Sequence, residues 1–436
     1  MSAFHPTVRR TDRRSGLASK DARNDFQVDC DRILYTSALH RLAEVTQVVG
    51  PDEAEVFHNR LTHSLKVAQV ARRLAEKLGH EQAIVAEALG GIDLDVTEGA
   101  ALAHDIGHPP FGHLAEEELD NLLTRSGFID GFEGNAQSLR VVTKLAVRRQ
   151  SQRGLDLTRA TLNALLKYPW QRATGGKEQR KWGAYASEES ELHFARELVP
   201  SGDKHKSAEA ELMDWADDVT YAVHDISDFY RAGLIPMERL ASFKDETERE
   251  AFFQEVFGRL GTEDLEGFPR SQLEESFQKV IEVLPFARRF VGTLEQRGVL
   301  RKACSTLIDN YVGAIRLREP TADNGRRVEI NPAMRQEVFM LKQLTWSYVI
   351  LNPMLTTQQH GLRTLIRRLF EILYKAAKKK NYLVFPFSVR ERFDPEDGEP
   401  DPSPRIIADY IAGMTEQQAR SMYLRLTGVS PGSALH

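Results

Sequence analysis

Apolar residues recur every three or four positions along most of the chain, and this spacing predicts a mainly α-helical protein. The clearest helical patterns cover residues 33–45, 58–79 and 208–233, and Gly233 and Pro236 end the last of them. Further helical patterns fill residues 244–350 and 405–426. Strand-like runs are few, and YLVFPFSV at residues 382–389 is the best candidate for a strand. We therefore predict a mainly α fold with little β structure.

The most informative break in these patterns is EGAALAHDIGHPPFGHLAEEEL, residues 98–119. An alanine-rich helix leads into His104 and Asp105, and Gly107 followed by two prolines ends it, because proline lacks the backbone N–H that a helix needs. A second helix is predicted to start near Gly112 and to place His113 and Glu116, three residues apart, on one face. Histidines and carboxylates around a helix break predict a metal site beside a proton-transfer site.

Composition narrows the class of protein. The chain has 436 residues, of which 41% are hydrophobic, and this is enough to bury a large core. No run approaches the roughly 18 apolar residues of a membrane span, and the first residues lack an apolar signal segment, so we expect a cytoplasmic protein without membrane contact. Two cysteines, Cys30 and Cys304, are too few for a thiolate metal site. A net charge of -5 argues against a protein built mainly to coat nucleic acid.

Histidines and aspartates on separate helices are the candidates for metal ligands. His104 and Asp105 diverge by about 100° on a helix, so they need further ligands from elsewhere in the chain. His63 lies among apolar residues, where a histidine can also be an ordinary half-buried core residue. Asp217 and Asp218 lie in an apolar helical segment. At least one of them needs a partner, because an unpaired buried carboxylate is strongly destabilising.

Spacing favours Asp217 over Asp218 as the fourth ligand. Asp217, Tyr221 and Asp225 follow at intervals of four and share one helix face, whereas Asp218 points elsewhere. Two imidazoles and two carboxylates form a mixed nitrogen and oxygen set that suits Mn, Fe, Co, Ni, Zn or Mg. The predicted ligands are His63, His104, Asp105 and Asp217.

The ordered set of these residues resembles the HD-domain metal phosphohydrolases. The chain as a whole resembles the deoxyguanosine triphosphate triphosphohydrolase family, the dGTPase-like proteins. The segments that carry the resemblance are DRILYTSALHRLAEVTQV, NRLTHSLKVAQVARRLA, ALAHDIGHPPFGHLAEEEL, FEGNAQSLR, ADDVTYAVHDISD, LKQLTWSYVI and DYIAGMT. The resemblance implies an HD helical bundle that uses a divalent metal such as Mn²⁺, Mg²⁺, Co²⁺, Fe²⁺ or Ni²⁺. It also implies hydrolysis of dGTP, and of other dNTPs if the specificity is broad, to deoxynucleoside and inorganic tripolyphosphate.

The resemblance also implies roles for single residues. His113 would be catalytic and oriented by Glu116, and His108 would lie near the triphosphate. A tyrosine ring against C2′ would leave no space for a ribose hydroxyl and would select deoxynucleotides. The substrate-binding residues would be Gln47 at the deoxynucleoside, Arg60 at a phosphate, Tyr221 against the sugar and Asp225 at the 3′-hydroxyl.

Four parts of the chain are predicted with the help of the resemblance. Residues 1–28 would be a flexible N-terminal arm, and residues 29–235 would be the HD phosphohydrolase core. Residues 236–392 would be a helical part that completes the pocket and makes oligomer contacts, and residues 393–436 an acidic, proline-rich connector with a C-terminal helix. Members of the family assemble into rings, so the resemblance implies a homohexamer.

Two other functions stay open at this stage. One is an HD scaffold that senses nucleotides or binds single-stranded nucleic acid with weak catalysis. Arg140, Lys144 and Arg148 recur every four residues, which is typical of a solvated helix face but would also suit a nucleic-acid strand. The other is an HD enzyme for a different phosphoester. A complete ligand set together with His113 favours the dNTP triphosphohydrolase.

Overall fold

The computed structural model describes residues 8–16, 22–47, 58–149, 152–242, 244–261, 265, 267–284, 288–321, 324–393 and 403–428. Over these ranges the protein is mostly helical, with two short antiparallel strand pairs, and this confirms the predicted mainly α fold. None of the helices in the described ranges is long and apolar enough to cross a membrane.

The first half of the described chain contains most of the predicted site. Its α-helices are α1 (Asp25–Leu34), α2 (Ser37–His40), α3 (Arg60–Glu81), α4 (Ala83–Ala88), α5 (Leu94–Ala103), α6 (His113–Arg125), α7 (Gly134–Arg140), α8 (Arg159–Leu165), α9 (Lys177–Arg180), α10 (Glu189–Arg196) and α11 (Ala208–Arg231). Its other elements are the 3-10 turns Arg41–Glu44 and Ala186–Glu188, the π turn Val141–Leu145, and the paired strands β1 (Val147–Arg149) and β2 (Gln152–Arg153).

The second half continues with longer helices. Its α-helices are α12 (Met237–Leu240), α13 (Thr247–Arg259), α14 (Arg270–Val283), α15 (Leu294–Gly313), α16 (Pro332–Thr345), α17 (Pro353–Lys378), α18 (Phe387–Arg390), α19 (Ser403–Ala412) and α20 (Glu416–Thr427). Its other elements are the antiparallel strands β3 (Ile315–Leu317) and β4 (Val328–Ile330), the π turn Trp346–Ile350 and the 3-10 turn Tyr382–Val384.

Helix boundaries follow local capping. The prediction for residues 208–233 is confirmed by α11, and the predicted break after His104 is confirmed by the end of α5 and the start of α6 at His113. The pattern over residues 33–45 predicted one helix, whereas the structure divides it into α1, α2 and a 3-10 turn. The division occurs at Thr36, which has an extended backbone and whose hydroxyl caps α2 at the Ala38 N–H.

The predicted strand at residues 382–389 is wrong. These residues form the 3-10 turn and α18, and Pro386 precedes α18 as its N-terminal cap residue. Two of their aromatic side chains pack with Phe393: the Tyr382 and Phe393 rings stack with centroids 5.0 Å apart, and the Phe385 ring centroid lies 4.8 Å from that of Phe393. Leu383 and Phe387 are exposed. Packing inside a helical core therefore outweighed the strand propensity of the run.

Residues 8–16 and 25–28 of the predicted N-terminal arm contact the helical core. Arg13 is buried and its Nη1 lies 2.5 Å from the Asp29 carboxylate, while Ser15 Oγ donates to Asp156 Oδ2 at 2.9 Å. Residues 25–28 belong to α1. The buried Arg13–Asp29 ion pair joins residues 8–16 to α1. Separating the pair is unfavourable, because it would leave a buried charge uncompensated. The rest of the predicted arm, residues 1–7 and 17–21, and residues 394–402 of the predicted connector lie outside the described residues.

Two hydrophobic cores organise the described helices. The larger core joins α1, α3, α5, α8 and α11 to α14, α15 and α16. The second core joins α6 to α17, α19 and α20 and to residues 385–393. The helices that carry His63, His104 and Asp217 thus belong to the larger core, whereas His113 and Glu116 lie on a helix of the second core. The predicted site therefore lies where the two cores meet.

Candidate active site

Three of the predicted metal ligands lie close together on the larger core. His63 on α3, His104 immediately after α5 and Asp217 on α11 each offer one ligand atom, and these atoms all lie within 4.8 Å of one another. His63 Nε2 lies 3.0 Å from Asp217 Oδ1, and His104 Nε2 lies 3.6 Å from the same oxygen. We name His63, His104 and Asp217 the histidine–aspartate trio. Small buried residues such as Ala100 and Ala101 let these helices approach closely.

The environment of His104 fits a metal ligand. Its Nδ1 lies 2.7 Å from the Ala101 carbonyl oxygen and can donate to it, which leaves Nε2 to face the trio. That Nε2 is buried and has no hydrogen-bond partner within the described structure. Burial lowers the pKa of His104, but Asp105 and Asp217 outweigh burial and raise the pKa to about 9. The site therefore favours a positive charge at this position, and a divalent cation would supply it in place of a proton.

The turn after His104 requires a glycine. A Cβ on Gly107 would lie 2.2 Å from the Ser138 backbone nitrogen and 2.3 Å from the Gly134 carbonyl oxygen. Ser138 Oγ lies 3.0 Å from the Gly107 nitrogen and 2.9 Å from the His104 carbonyl oxygen, so α7 holds the turn from both sides. This close packing fixes the backbone that presents His104.

Asp105, the fourth predicted ligand, lies beside the trio and is held by Arg60. Its Oδ1 lies 3.5 Å from His104 Nε2 and 3.1 Å from His108 Nδ1, while Arg60 Nη1 donates to its Oδ2 at 2.7 Å. Arg60 is itself buried and donates from Nε to the Thr46 carbonyl oxygen at 3.0 Å. The predicted phosphate-binding arginine thus contacts a predicted metal ligand.

The predicted catalytic pair lies on the neighbouring helix α6. His113 Nδ1 lies 2.8 Å from Glu116 Oε2, and Lys181 Nζ lies 2.9 Å from Glu116 Oε1. Burial raises the pKa of Glu116, but His113 and Lys181 outweigh burial and hold the pKa well below its usual range. His108 lies between this pair and Asp105, since its Nε2 is 3.9 Å from Glu116 Oε2 and its Nδ1 is 3.1 Å from Asp105 Oδ1. Burial and the nearby Arg60 lower the pKa of His108 to about 3, so its ring is neutral at ordinary pH.

The residues predicted at the nucleoside end offer unused polar atoms. Asp225 is buried and hydrogen-bonded to Tyr221, one turn earlier on α11, and its Oδ2 has no hydrogen-bond partner in the described structure. Burial and the nearby Asp228 raise the pKa of Asp225 well above its usual range. Gln47 lies beside Thr46, and its buried Oε1 is likewise without a partner in the described structure. Buried polar atoms without a protein partner are suited to bind a polar ligand.

Sequence reasoning missed two lysines at the site. Lys167, just after α8, places Nζ 2.9 Å from Asp217 Oδ2 and 2.7 Å from Asp214. Lys181 comes from residues 169–190, a long charged segment whose sequence has no helical periodicity, and its Nζ also lies 3.0 Å from Glu133 Oε1. Two features of the sequence could have indicated these lysines as site residues. They are the length of the 169–190 segment and the position of Lys167 at the end of an apolar helix.

Asp218 and the basic stripe lie apart from these contacts. Lys342 Nζ donates to Asp218 Oδ1 at 2.7 Å, away from the trio. Arg140 pairs with Asp409 and Glu188 at 2.9 and 2.6 Å. Lys144 also pairs with Glu188, and Arg148 pairs with Asp156. These internal partners neutralise much of the stripe, and binding of single-stranded nucleic acid stays a prediction.

Two family profiles match the chain. Residues 60–222 match the HD domain, which covers α3 to α11 and therefore the trio, His113 and Tyr221. Residues 328–425 match the phosphohydrolase-associated domain, which covers β4 and α16 to α20.

Curated relatives match over nearly the full chain. A deoxyguanosinetriphosphate triphosphohydrolase-like protein of Corynebacterium efficiens is 35% identical over 94% of this chain and 93% of its own length. Proteins of the same name are 35% identical in Streptomyces coelicolor, over 94% of each chain, and 33% identical in Wolinella succinogenes, over 93% of this chain and 96% of the relative. Similarity of this extent covers both hydrophobic cores.

Proposed function

The chain belongs to the deoxyguanosinetriphosphate triphosphohydrolase-like family of HD-domain proteins, and from this premise we propose that it hydrolyses dGTP and other dNTPs to deoxynucleoside and tripolyphosphate. The HD domain is a metal-dependent phosphohydrolase domain, so the chain is a hydrolase of that class. The observation that carries the proposal is that His108 links the His113 and Glu116 pair to the proposed metal ligands: its Nε2 lies 3.9 Å from Glu116 Oε2, and its Nδ1 lies 3.1 Å from Asp105 Oδ1. Asp105 in turn lies 3.5 Å from His104 of the histidine–aspartate trio.

The donor set fits a divalent metal. Its proposed ligands are His63, His104, Asp105 and Asp217. When bound, such a cation would polarise a phosphoryl oxygen and make water a better nucleophile at neutral pH. Mn²⁺ is the metal we propose to test first, because mixed imidazole and carboxylate sites accept it readily.

The His113 and Glu116 pair is suited to proton transfer at the leaving oxygen. In the proposed hydrolysis a water oxygen bonds to the α-phosphorus, and the bond between that phosphorus and O5′ breaks. His113 gives a proton to O5′, and the released proton of the water passes to solvent. Glu116 holds His113 through Nδ1, which leaves the other ring nitrogen free to act on the substrate.

Three cationic side chains beside the proposed metal ligands and Glu116 suit the binding of a triphosphate. Lys167 and Lys181 lie on the carboxylates of Asp217 and Glu116, and Arg60 lies on Asp105. Their charges would neutralise phosphate oxygens, and a planar guanidinium can bind two of them at once. These three side chains are the phosphate contacts that we propose.

The opposite end of the site suits a deoxyribose. We propose that the Tyr221 ring packs against C2′ and that Asp225, with its unpartnered Oδ2, bonds the 3′-hydroxyl. Gln47 would contact the deoxynucleoside through its buried Oε1. A ribonucleotide would place its 2′-hydroxyl against the ring, so deoxynucleotides are favoured.

Product analysis tests this function. Purified protein is incubated with Mn²⁺ and each of the four dNTPs or GTP, and the products are separated by ion exchange. We expect deoxynucleoside and intact tripolyphosphate, no turnover of GTP and loss of turnover with EDTA. Monophosphate or orthophosphate would assign the chain to another HD phosphohydrolase reaction. No turnover, even with a second dNTP present, would favour the nucleotide sensor or single-strand binder.

A further inference from the structure

A single carboxylate from the C-terminal helix connects two loops of the active site. Glu416 lies in the first turn of α20, and its Oε1 accepts from the Thr46 backbone N–H at 2.8 Å and from the Phe111 backbone N–H at 3.2 Å. More than 300 residues separate Glu416 from either partner. Thr46 precedes Gln47, and Phe111 lies two residues before His113, so both loops carry predicted site residues.

The strained backbone of the loop at Phe111 needs stabilising contacts from another part of the chain. Phe111 has a φ of +68°, which is unfavourable for a residue with a Cβ, and Gly112 has a φ of +61°. Helix α20 contacts Phe111 twice, because Arg420 places its guanidinium carbon 5.2 Å from the Phe111 ring centroid. The next residue after this turn is His113, the first residue of α6. The contacts of α20 with Phe111 therefore help to set the orientation of His113 at the start of α6.

The loop at Thr46 connects the same carboxylate to the other side of the site. The Thr46 carbonyl oxygen accepts from Arg60 Nε at 3.0 Å, and Arg60 in turn binds Asp105. Arg41 makes a second connection between the C-terminal helices and the site. It donates from Nη1 to the Met414 carbonyl oxygen at 3.0 Å and from Nη2 to the His108 carbonyl oxygen at 2.7 Å. Glu416 thus contacts the backbone after His108 directly, at Phe111, while Met414 is linked to the His108 carbonyl oxygen through Arg41.

We propose that Glu416 is a positioning residue for the reaction. It fixes His113, on the second core, relative to the histidine–aspartate trio on the larger core, and it fixes Gln47 relative to both. The phosphohydrolase-associated domain would then contribute to catalysis through this contact, without touching the substrate. The inference rests on the proposed function and assigns a role that the metal ligands and the His113 and Glu116 pair do not cover.

The test compares Glu416→Ala, Glu416→Gln and Gln417→Ala on two substrates with Mn²⁺. Gln417 is the exposed neighbour on the same helix turn and serves as the matched control. One substrate is the preferred dNTP, and the other is bis(p-nitrophenyl) phosphate, which has neither sugar nor base. For Glu416→Ala we expect kcat on both substrates to fall about tenfold to a hundredfold, since small misplacement of a catalytic group costs that much. We expect KM to rise for the dNTP alone, because only the dNTP uses Gln47.

Two further readouts separate positioning from folding. Mn²⁺ binding by Glu416→Ala should match the wild type in stoichiometry and affinity, because Glu416 accepts from the backbone N–H groups of Thr46 and Phe111 and its link to the ligand Asp105 runs only indirectly, through Thr46 and Arg60. Glu416→Gln should recover most of the activity, since an amide oxygen can accept both backbone N–H groups, and Gln417→Ala should match the wild type throughout.

The outcomes that overturn the inference are distinct from those that overturn the function. If Glu416→Ala has the kcat and KM of the wild type, Glu416 has no positioning role. The same conclusion follows if KM is unchanged and kcat falls only in proportion to the fraction of protein that still binds Mn²⁺. A wild type that cleaves the small diester but no dNTP would overturn the proposed substrate, while the effect of Glu416→Ala on the diester would still decide the positioning role. A wild type that cleaves neither substrate would overturn both.

Discussion

His113 and Glu116 are in contact at 2.8 Å but lie in opposite environments: the His113 side chain is 68% exposed, whereas that of Glu116 is 7% exposed. A buried carboxylate needs partners, and Glu116 has Lys181 and the Gly134 backbone N–H in addition to His113. The acid is therefore held rigidly while the imidazole it orients faces solvent. This arrangement suits a histidine that exchanges a proton with a bound substrate.

Removing either member of this pair should reduce catalysis without removing the metal. We expect His113→Ala to lower kcat about a thousandfold, in the range known for general acid–base groups. We expect Glu116→Gln to lower it about tenfold to a hundredfold, because Glu116 only orients His113. Glu117→Gln is the matched control, because Glu117 pairs with Arg363 at the exposed surface. The measurements are the turnover of each variant and its Mn²⁺ binding, the latter by calorimetry. Full activity of His113→Ala would rule out its assigned role.

The two adjacent aspartates of α11 should differ in metal binding. Asp217 belongs to the histidine–aspartate trio, whereas Asp218 pairs with Lys342. We expect Asp217→Ala to lose both stoichiometric metal and activity, and Asp218→Ala to retain metal and most of its activity. The metal content of each purified variant after incubation with Mn²⁺ is the measurement. Loss of metal from Asp218→Ala alone would contradict the ligand assignment.

Tyr221 should control the choice between deoxyribose and ribose. Removal of the ring in Tyr221→Ala should admit a 2′-hydroxyl and reduce the ratio of kcat/KM for dGTP over GTP by roughly tenfold or more, which is the scale of a steric contact in a pocket. Tyr221→Phe keeps the ring and should keep the discrimination. It loses the hydrogen bond to Asp225, so a moderate rise in KM is expected. If Tyr221→Ala discriminates like the wild type, the sugar contact lies elsewhere.

Lys181 should set the acidic limit of activity. Burial lowers the pKa of this lysine, but Glu116 and Glu133 outweigh burial and raise it, and Lys181 in turn helps to keep the pKa of Glu116 low. In Lys181→Met the pKa of Glu116 should rise. Glu116 is then protonated at higher pH and stops holding His113, so the acidic limb of the kcat profile should move to higher pH.

The control for this experiment is Lys177→Met, which changes an exposed lysine at the start of α9, four residues before Lys181. Its profile of kcat against pH should overlay that of the wild type. A Lys181→Met profile with an unmoved acidic limb, at any level of activity, would show that Lys181 does not act on Glu116. The profiles are recorded at saturating dNTP so that a loss of phosphate affinity does not enter them.

Much of the helical framework was predictable from periodicity and local chain chemistry. Apolar spacing predicted α3 and α11 to within about two residues, and the Gly107 and proline run predicted the break between α5 and α6. Helical geometry also separated Asp217 from Asp218 before any packing was known. The 382–389 prediction failed because a short apolar run is compatible with a strand or with a helical core, and only its neighbours distinguish the two.

The amino-acid sequence by itself determined which residues could form a metal and proton-transfer site, because residue type and helix spacing are local properties. Only the tertiary structure decided which partners those residues have. Lys167 and Lys181 reach the site across the fold, Arg60 binds Asp105, and Glu416 joins loops more than 300 residues away. Contacts of this kind depend on how helices pack at a distance along the chain, and periodicity within one helix carries no information about that packing.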